Sequence, residues 1–267
     1  MELIDVKGCR LEVQRIAAPP GTTAAPIVFL HEGLGSVAMW QGREGSWPAA
    51  VCAATGRPGF VYSRRGYGQS DAVPDVRASG RLQPDYMHRE AWDVLPALLQ
   101  ILNIERPVLL GHSDGGSIAL LHASRHPVQA CIVMAPHVMV EDVSIRSIEQ
   151  ARTAYESEGL RERLARYHAD VDTAFWQWND AWLSPAFRGF DIRAECRRIA
   201  APVLAVQGHD DPYGSMRQIE EIAPTAGVFE MEKIPGCGHS PHRDAALRVQ
   251  QRVAQFLAQH TTRPGHP

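Results

Sequence analysis

The chain has 267 residues, 45% of them hydrophobic and 21% charged; this is the balance of an ordinary globular protein, which excludes disorder over most of the length and leaves room for one large α/β domain or two small ones. Its formal net charge of -3, with no cluster of lysines or arginines, excludes the phosphate-tracking stripe of a nucleic-acid binder; the arginines from Arg161 to Arg166 alternate with glutamate, leucine and alanine as on a solvated helix face. No run approaches the ~18 consecutive apolar residues of a membrane span, and five scattered cysteines without a C-x-x-C pair fit a reducing compartment, so a cytoplasmic protein with neither membrane nor nucleic acid as partner is expected.

The first residues, MELIDVKGCRLEVQRI, alternate apolar and polar side chains and carry acids where a secretory signal would be basic. They predict an antiparallel hairpin over 2–16 at the edge of a sheet. Short apolar runs of strand length follow at 26–30 (PIVFL), 59–63 (GFVYS), 108–111 (VLLG), 130–134 (ACIVM), 203–208 (VLAVQG) and 228–234 (VFEMEKI). Helical spacing fills most of the intervals, at 86–102, 117–125 and 245–260; in the first of these Pro96 must kink the helix or mark its first turn. Strands alternating with helices imply parallel pairing through right-handed crossovers. The predicted fold class is α/β: a mostly parallel eight-stranded sheet, hairpin included, with helices on both faces.

One interval breaks the rhythm. Residues 138–198 hold several helical stretches and no strand, which predicts a helical cap inserted into a core formed by 1–137 and 199–262; the tail TTRPGHP is expected to be disordered over 263–267. Phe175, Trp176, Trp178 and Trp182 crowd into eight residues of the insertion. Such aromatics either fix a cap to its sheet or line a pocket beneath it, and Trp176, Trp178 and Trp182 are candidate substrate contacts.

Gly111-His112-Ser113-Asp114-Gly115 fits G-x-S-x-G. As a bare pattern it would arise by chance about one time in ten in a chain this long. Here a strand precedes it and a helix follows, the setting in which a sharp turn holds the central side chain clear of the sheet. Glycines two positions either side avoid the clashes of a Cβ, and the helix starting there aims free N–H groups at the same point. Ser113 is the candidate nucleophile. Its hydroxyl needs a base, and the base an orienting carboxylate, both on loops after later strands. HDDPYG follows VLAVQG and PGCGHSPH follows VFEMEKI, giving the order Ser, Asp, His. Asp211 is preferred, next to a proline that fixes the turn, with Asp210 the alternative; His239, flanked by Gly236 and Gly238, is preferred to His242. The oxyanion would be held by the N–H of Asp114 and by one in the loop HEGLGSVAMW, from Gly33 or alternatively Leu34. His31 reads as a structural hydrogen-bonder of that loop.

With these residues assembled, the chain resembles the lid-bearing serine hydrolases of the α/β-hydrolase superfamily. The likeness runs through FLHEGLGSVAMW, VYSRRGYGQSD, LLGHSDGGSIAL, VLAVQGHDDPYG and IPGCGHSPH, nearly everything outside the cap and tail. It implies the α/β-hydrolase fold, a turn at 63–71 that supports the oxyanion loop, and acyl transfer at Ser113 without metal or organic cofactor. The same machinery serves carboxylic esters, lactones, thioesters, amides at peptide N-termini and carbon–carbon bonds, and the fold does not choose among them. A small-molecule carboxylic ester or lactone is the expected substrate; a non-catalytic ligand receptor is the competing class, and homo-oligomerisation is left open. Two departures from the family pattern stand out. Glu32 replaces the usual glycine, and Asp114 follows the nucleophile where a bulkier apolar residue is common. Two acids near the hole should disfavour negatively charged acyl groups unless they are protonated or turned away. Glu32 and Leu34 join the tryptophans as candidate substrate contacts.

Overall fold

The computed structural model describes residues 1–42 and 45–261; the tail expected to be disordered lies outside them. The chain opens with β1 (Glu2–Val6) and β2 (Cys9–Ile16), followed by β3 (Ile27–Leu30), α1 (Trp47–Thr55) and β4 (Gly59–Tyr62). Next come α2 (Tyr86–Arg89), a π turn (Glu90–Val94), α3 (Leu95–Ile101), β5 (Val108–His112), α4 (Asp114–Ala123) and β6 (Ala130–Met134). Four helices intervene, α5 (Asp142–Ser157), α6 (Leu160–Leu164), α7 (Val171–Trp182) and α8 (Arg193–Cys196). The chain then returns through β7 (Val203–Gly208), α9 (Arg217–Glu220), β8 (Phe229–Ile234), α10 (Pro241–Asp244) and α11 (Ala246–His260).

The strands form one eight-stranded sheet in the order β1-β2-β4-β3-β5-β6-β7-β8. Only the β1/β2 and β2/β4 pairs are antiparallel; the remaining neighbours are parallel. Strand side chains alternate between two cores, the consequence of a two-residue period in a sheet covered on both faces. Ile27, Phe29, Leu110 and Ile132 pack with α1 and α11, whereas Val28, Leu30, Leu109 and Val133 pack with α2 to α4. The strand order reverses at β3, which has β4 on one side and β5 on the other. In open α/β sheets the crevice at the carboxyl ends of the strands flanking such a reversal is where ligands bind.

Two helices differ from the sequence expectation. The helix after Ser113 begins at Asp114 rather than 117, because the Ser113 carbonyl already accepts from the N–H groups of Gly116 and Ser117. The run 86–102 is interrupted by the π turn, which ends at Val94, two residues before Pro96. Proline lacks an N–H and its ring clashes with the carbonyl four residues back; the wider turn absorbs both defects without ending the helical path. The inserted helices cover the carboxyl ends of the strands as a cap, and an isolated bridge between Met139 and Asp191 closes their base. Phe175, Trp178, Trp182 and Phe187 of the insertion belong to the same core as α2 to α4. Among the described residues no helix is long and apolar enough to cross a membrane.

Candidate active site

β5 ends at His112 and α4 starts at Asp114, so Ser113 alone makes the joint, with φ 52° and ψ -120°. A non-glycine residue held there costs on the order of 1–3 kcal/mol and persists only where its surroundings over-determine it. Its N–H donates to the Met134 carbonyl of β6 at 2.9 Å, and its carbonyl accepts from Gly116 and Ser117 at 2.8 and 3.0 Å. The flanking glycines are required by close approach. A Cβ on Gly111 would lie 2.1 Å from the Gly115 carbonyl oxygen, and one on Gly115 would lie 2.2 Å from that of Leu30. Strand, helix and β3 therefore converge at one corner and the Ser113 hydroxyl is left on the open side.

His239, in the loop after β8, meets that hydroxyl: Ser113 Oγ–H donates to His239 Nε2 at 2.9 Å. The opposite ring nitrogen, Nδ1–H, donates to both Asp211 oxygens at 2.9 and 2.8 Å. The Asp211 carboxylate also accepts from Gln207 Nε2 at 2.8 Å and from the Tyr213 N–H at 2.8 Å. Burial opposes its ionisation, but the His239 hydrogen bond and charge and the Tyr213 N–H outweigh it and hold the carboxyl below the ordinary aspartate range. A carboxyl depressed on folding contributes stability that is present above the unfolded pKa and is lost as pH falls through the folded one. The stability gap between wild type and Asp211→Asn, read from urea melts, is accordingly expected to be widest near neutral pH and to close on acidification; a gap independent of pH would contradict the assignment. Asp210 is exposed, and among the described residues only its N–H is engaged, by the Cys237 carbonyl. His242 packs against Trp40, Trp47 and His112. Of these alternatives, His239 meets Ser113 and Asp211 meets His239.

The loop after β3 faces the same hydroxyl. Among the described residues the N–H groups of Asp114, Gly33 and Leu34 have no acceptor within the protein. Three side chains fix this loop. Arg64, buried just past β4, donates from Nη1 to the His31 carbonyl at 2.6 Å and from Nη2 to the Glu32 carbonyl at 3.0 Å. His31 accepts the Arg64 N–H on Nε2 at 3.0 Å and donates from Nδ1 to the Glu32 carbonyl at 2.7 Å; both ring nitrogens are thereby spent on backbone. Burial and the Arg64 charge keep that ring well below the usual histidine range, hence neutral. His168, on the cap between α6 and α7, accepts the Gly68 N–H on Nδ1 at 3.0 Å and so donates from Nε2 to the Leu34 carbonyl at 3.0 Å. Gly33 has no room for a side chain, since its Cβ would stand 2.1 Å from Trp178 Nε1.

Neither nearby acid stands alone. Asp114 is buried and accepts from Tyr86 Oη at 2.6 Å and Trp182 Nε1 at 3.3 Å, with Arg64 at 3.9 Å. Burial raises its pKa against the pull of Arg64 and these two donors. Glu32 Oε2 lies 3.3 Å from His112 Nδ1, and Oε1 lies 4.0 Å from Arg243. The other nitrogen of His112 donates to the His239 carbonyl at 2.6 Å. A carbonyl can only accept, so the Nδ1 contact is a hydrogen bond only if Glu32 and His112 share one further proton. Burial pushes Glu32 up, but the His112 hydrogen bond and the charges of His112, His242 and Arg243 bring it well below the usual glutamate range. Glu32 is thus held as the anion beside His112, with the Arg243 guanidinium also within reach of its carboxylate.

Ser113 opens on a cavity of about 220 Å³ lined by Glu32, Gly33, Leu34, Asp114, Trp178 and Trp182 of the sequence candidates, and by His137, Ile148 and Tyr213, which the sequence did not single out. Trp176 is elsewhere. The Arg77 guanidinium lies 3.8 Å over its ring, and Tyr155 and Phe175 meet it edge-on. Trp178 and Trp182 are four apart on α7 and share a face, whereas Trp176 is two residues out of phase with Trp178; the helical period held that signal. Arg64, His112 and His168 also escaped sequence reasoning, although Arg64 stands in the segment expected to brace the oxyanion loop.

The model of the alpha/beta hydrolase family matches residues 27–251. The chain is 24% identical to the sn-1-specific diacylglycerol lipase of Mus musculus, covering 88% of this chain and 82% of that protein. It is 24% identical to the 2-hydroxymuconate semialdehyde hydrolase of Pseudomonas sp. strain CF600, covering 88% and 87%. Among solved structures, the enol-lactonase from Burkholderia xenovorans LB400 superposes with a TM-score of 0.74 at 20% identity, over 96% of this chain and all of that one.

Proposed function

This chain belongs to the alpha/beta hydrolase family, and on that premise we propose that it cleaves a small-molecule carboxylic ester or lactone through an acyl intermediate on Ser113. What carries this reading is the unbroken chain of hydrogen bonds from Asp211 through His239 to the Ser113 hydroxyl, supported by the N–H groups of Asp114, Gly33 and Leu34, which have no acceptor among the described residues. Ser113 Oγ attacks the substrate carbonyl while its proton passes to His239 Nε2, and Asp211 stabilises the imidazolium that forms. The N–H groups of Asp114 and Gly33, or of Leu34 in its place, hold the tetrahedral oxyanion. Collapse expels the alcohol, which takes the proton from His239. Water then repeats the sequence on the acyl-serine and frees the acid.

The cavity sets the size of the substrate. At about 220 Å³ it falls below the ~300–1,000 Å³ of pockets for drug-sized ligands, which supports compact substrates over the long acyl chains of a diacylglycerol. Trp178, Trp182, Leu34 and Ile148 make its walls apolar. The test is a panel of p-nitrophenyl esters, lactones and acyl thioesters, together with labelling by a fluorophosphonate. Turnover of short esters or lactones and labelling at Ser113 are expected. Labelling elsewhere, or none, would remove the acyl-serine pathway, and faster cleavage of the thioesters would move the assignment to a thioesterase.

A further inference from the structure

One wall of the cavity holds a polar group that the proposed chemistry does not use. His137 follows β6 and is only 2% exposed, yet its ring has no hydrogen-bond partner among the described residues. Nδ1 is sealed from solvent and unpartnered; Nε2 has no partner either, but is not sealed, and the residue lines the cavity beside Ser113. The backbone holds this ring in place firmly. Ala135 takes φ 46°, and the Ser117 hydroxyl both accepts from the His137 N–H at 2.9 Å and donates to its carbonyl at 2.7 Å, tying the turn to the nucleophile helix. The ring stands edge-on to Trp182 at 4.9 Å and lies 5.9 Å from the ring of His239.

Burial, with the nearby charge of His239, pushes the His137 ring down to about 3, so it is neutral and carries one proton. An orphaned buried N–H is rarer in native structures than an under-satisfied acceptor. The proton therefore belongs on Nε2, leaving a lone pair on the sealed Nδ1. We infer that His137 Nε2–H is a specificity donor that hydrogen-bonds an uncharged acceptor, an ether or carbonyl oxygen, in the leaving-group half of the substrate. The leaving-group half is indicated because the His137 ring lies near that of His239, the group that protonates the departing oxygen. A substrate without such an acceptor would leave a second nitrogen of this ring buried and unpaired.

This inference rests on the acyl-serine reading, and the experiment separates the two. It compares 2-methoxyethyl acetate with its isosteric hydrocarbon, n-butyl acetate, by acid release. Wild type and His137→Phe are each assayed on both, so that intrinsic ester reactivity cancels in the ratio of their kcat/KM ratios. The preference for the methoxyethyl ester should be about tenfold greater in wild type than in His137→Phe. His137→Gln, which retains an N–H donor, should recover part of it. Fluorophosphonate labelling of Ser113 and cleavage of the butyl ester should persist in both variants, and thermal melting confirms that they fold. An unchanged ratio, or an equal loss on both esters, would overturn the role of His137 while leaving Ser113 in place. Absence of turnover and of labelling in wild type would overturn the acyl-serine reading and this inference with it.

Discussion

Ser113→Ala is expected to lower kcat on short esters by roughly 10⁴- to 10⁶-fold, the range seen when a triad nucleophile is removed and only the oxyanion donors and binding remain. The fold should survive. The side chain makes one hydrogen bond, to His239, whereas the elbow itself is built from backbone: the Ser113 N–H on Met134 and the Gly111, Gly115 and Leu30 contacts. Ser113→Gly should lose activity to the same extent and gain stability. At φ 52° and ψ -120° serine is strained and glycine is not, so up to about 1 kcal/mol of that strain is relieved. Stopped assays with p-nitrophenyl acetate, fluorophosphonate labelling and calorimetric melts check the three statements. An activity loss under tenfold would mean that the hydroxyl is not the attacking group.

Arg64→Met is expected to damage both the hole and the fold. Its guanidinium holds the carbonyls of His31 and Glu32, the two residues that set the path of the chain into Gly33. Freed of that clamp, the loop can drift, and a displacement of about 1 Å in a positioning element costs on the order of 100-fold in rate. The same substitution strips Asp114 of its nearest cation at 3.9 Å. A buried pair broken from one side loses about 3–5 kcal/mol, because the remaining charge stays buried. Arg64→Lys should rescue neither property well, since an ammonium cannot span two carbonyls with a planar fork. The double variant Arg64→Met/Asp114→Asn should recover stability without recovering rate, a coupling that a double-mutant cycle measures directly. Full rescue of the rate by Arg64→Lys would show that the charge alone matters and not the clamp.

Local chemistry was legible in the sequence and long-range contacts were not. The elbow could be read because the strand, the glycines and the hydroxyl lie within a dozen consecutive residues, and the order of Asp211 and His239 because each follows an apolar run directly. The sheet, too, was legible, since buried parallel strands announce themselves as short apolar stretches. By contrast, the His168 ring bonds a carbonyl 134 positions away, and the Tyr86 hydroxyl reaches Asp114 across 28. Nothing near either residue signals such a partner. Burial of polar groups is likewise invisible before the fold exists, which is why Glu32 and Asp114 read as two bare acids near the hole. In the structure Asp114 is met by Arg64, Tyr86 and Trp182, and Glu32 by His112 and Arg243.

The bridge made by His168 couples two parts of the chain. Its ring is carried by the cap but grips the Leu34 carbonyl on one side and the Gly68 amide on the other. Any lifting of the roof far enough to break that grip also unfastens the backbone opposite Ser113. The position of the roof and the path of the backbone opposite Ser113 are therefore tied through a single imidazole.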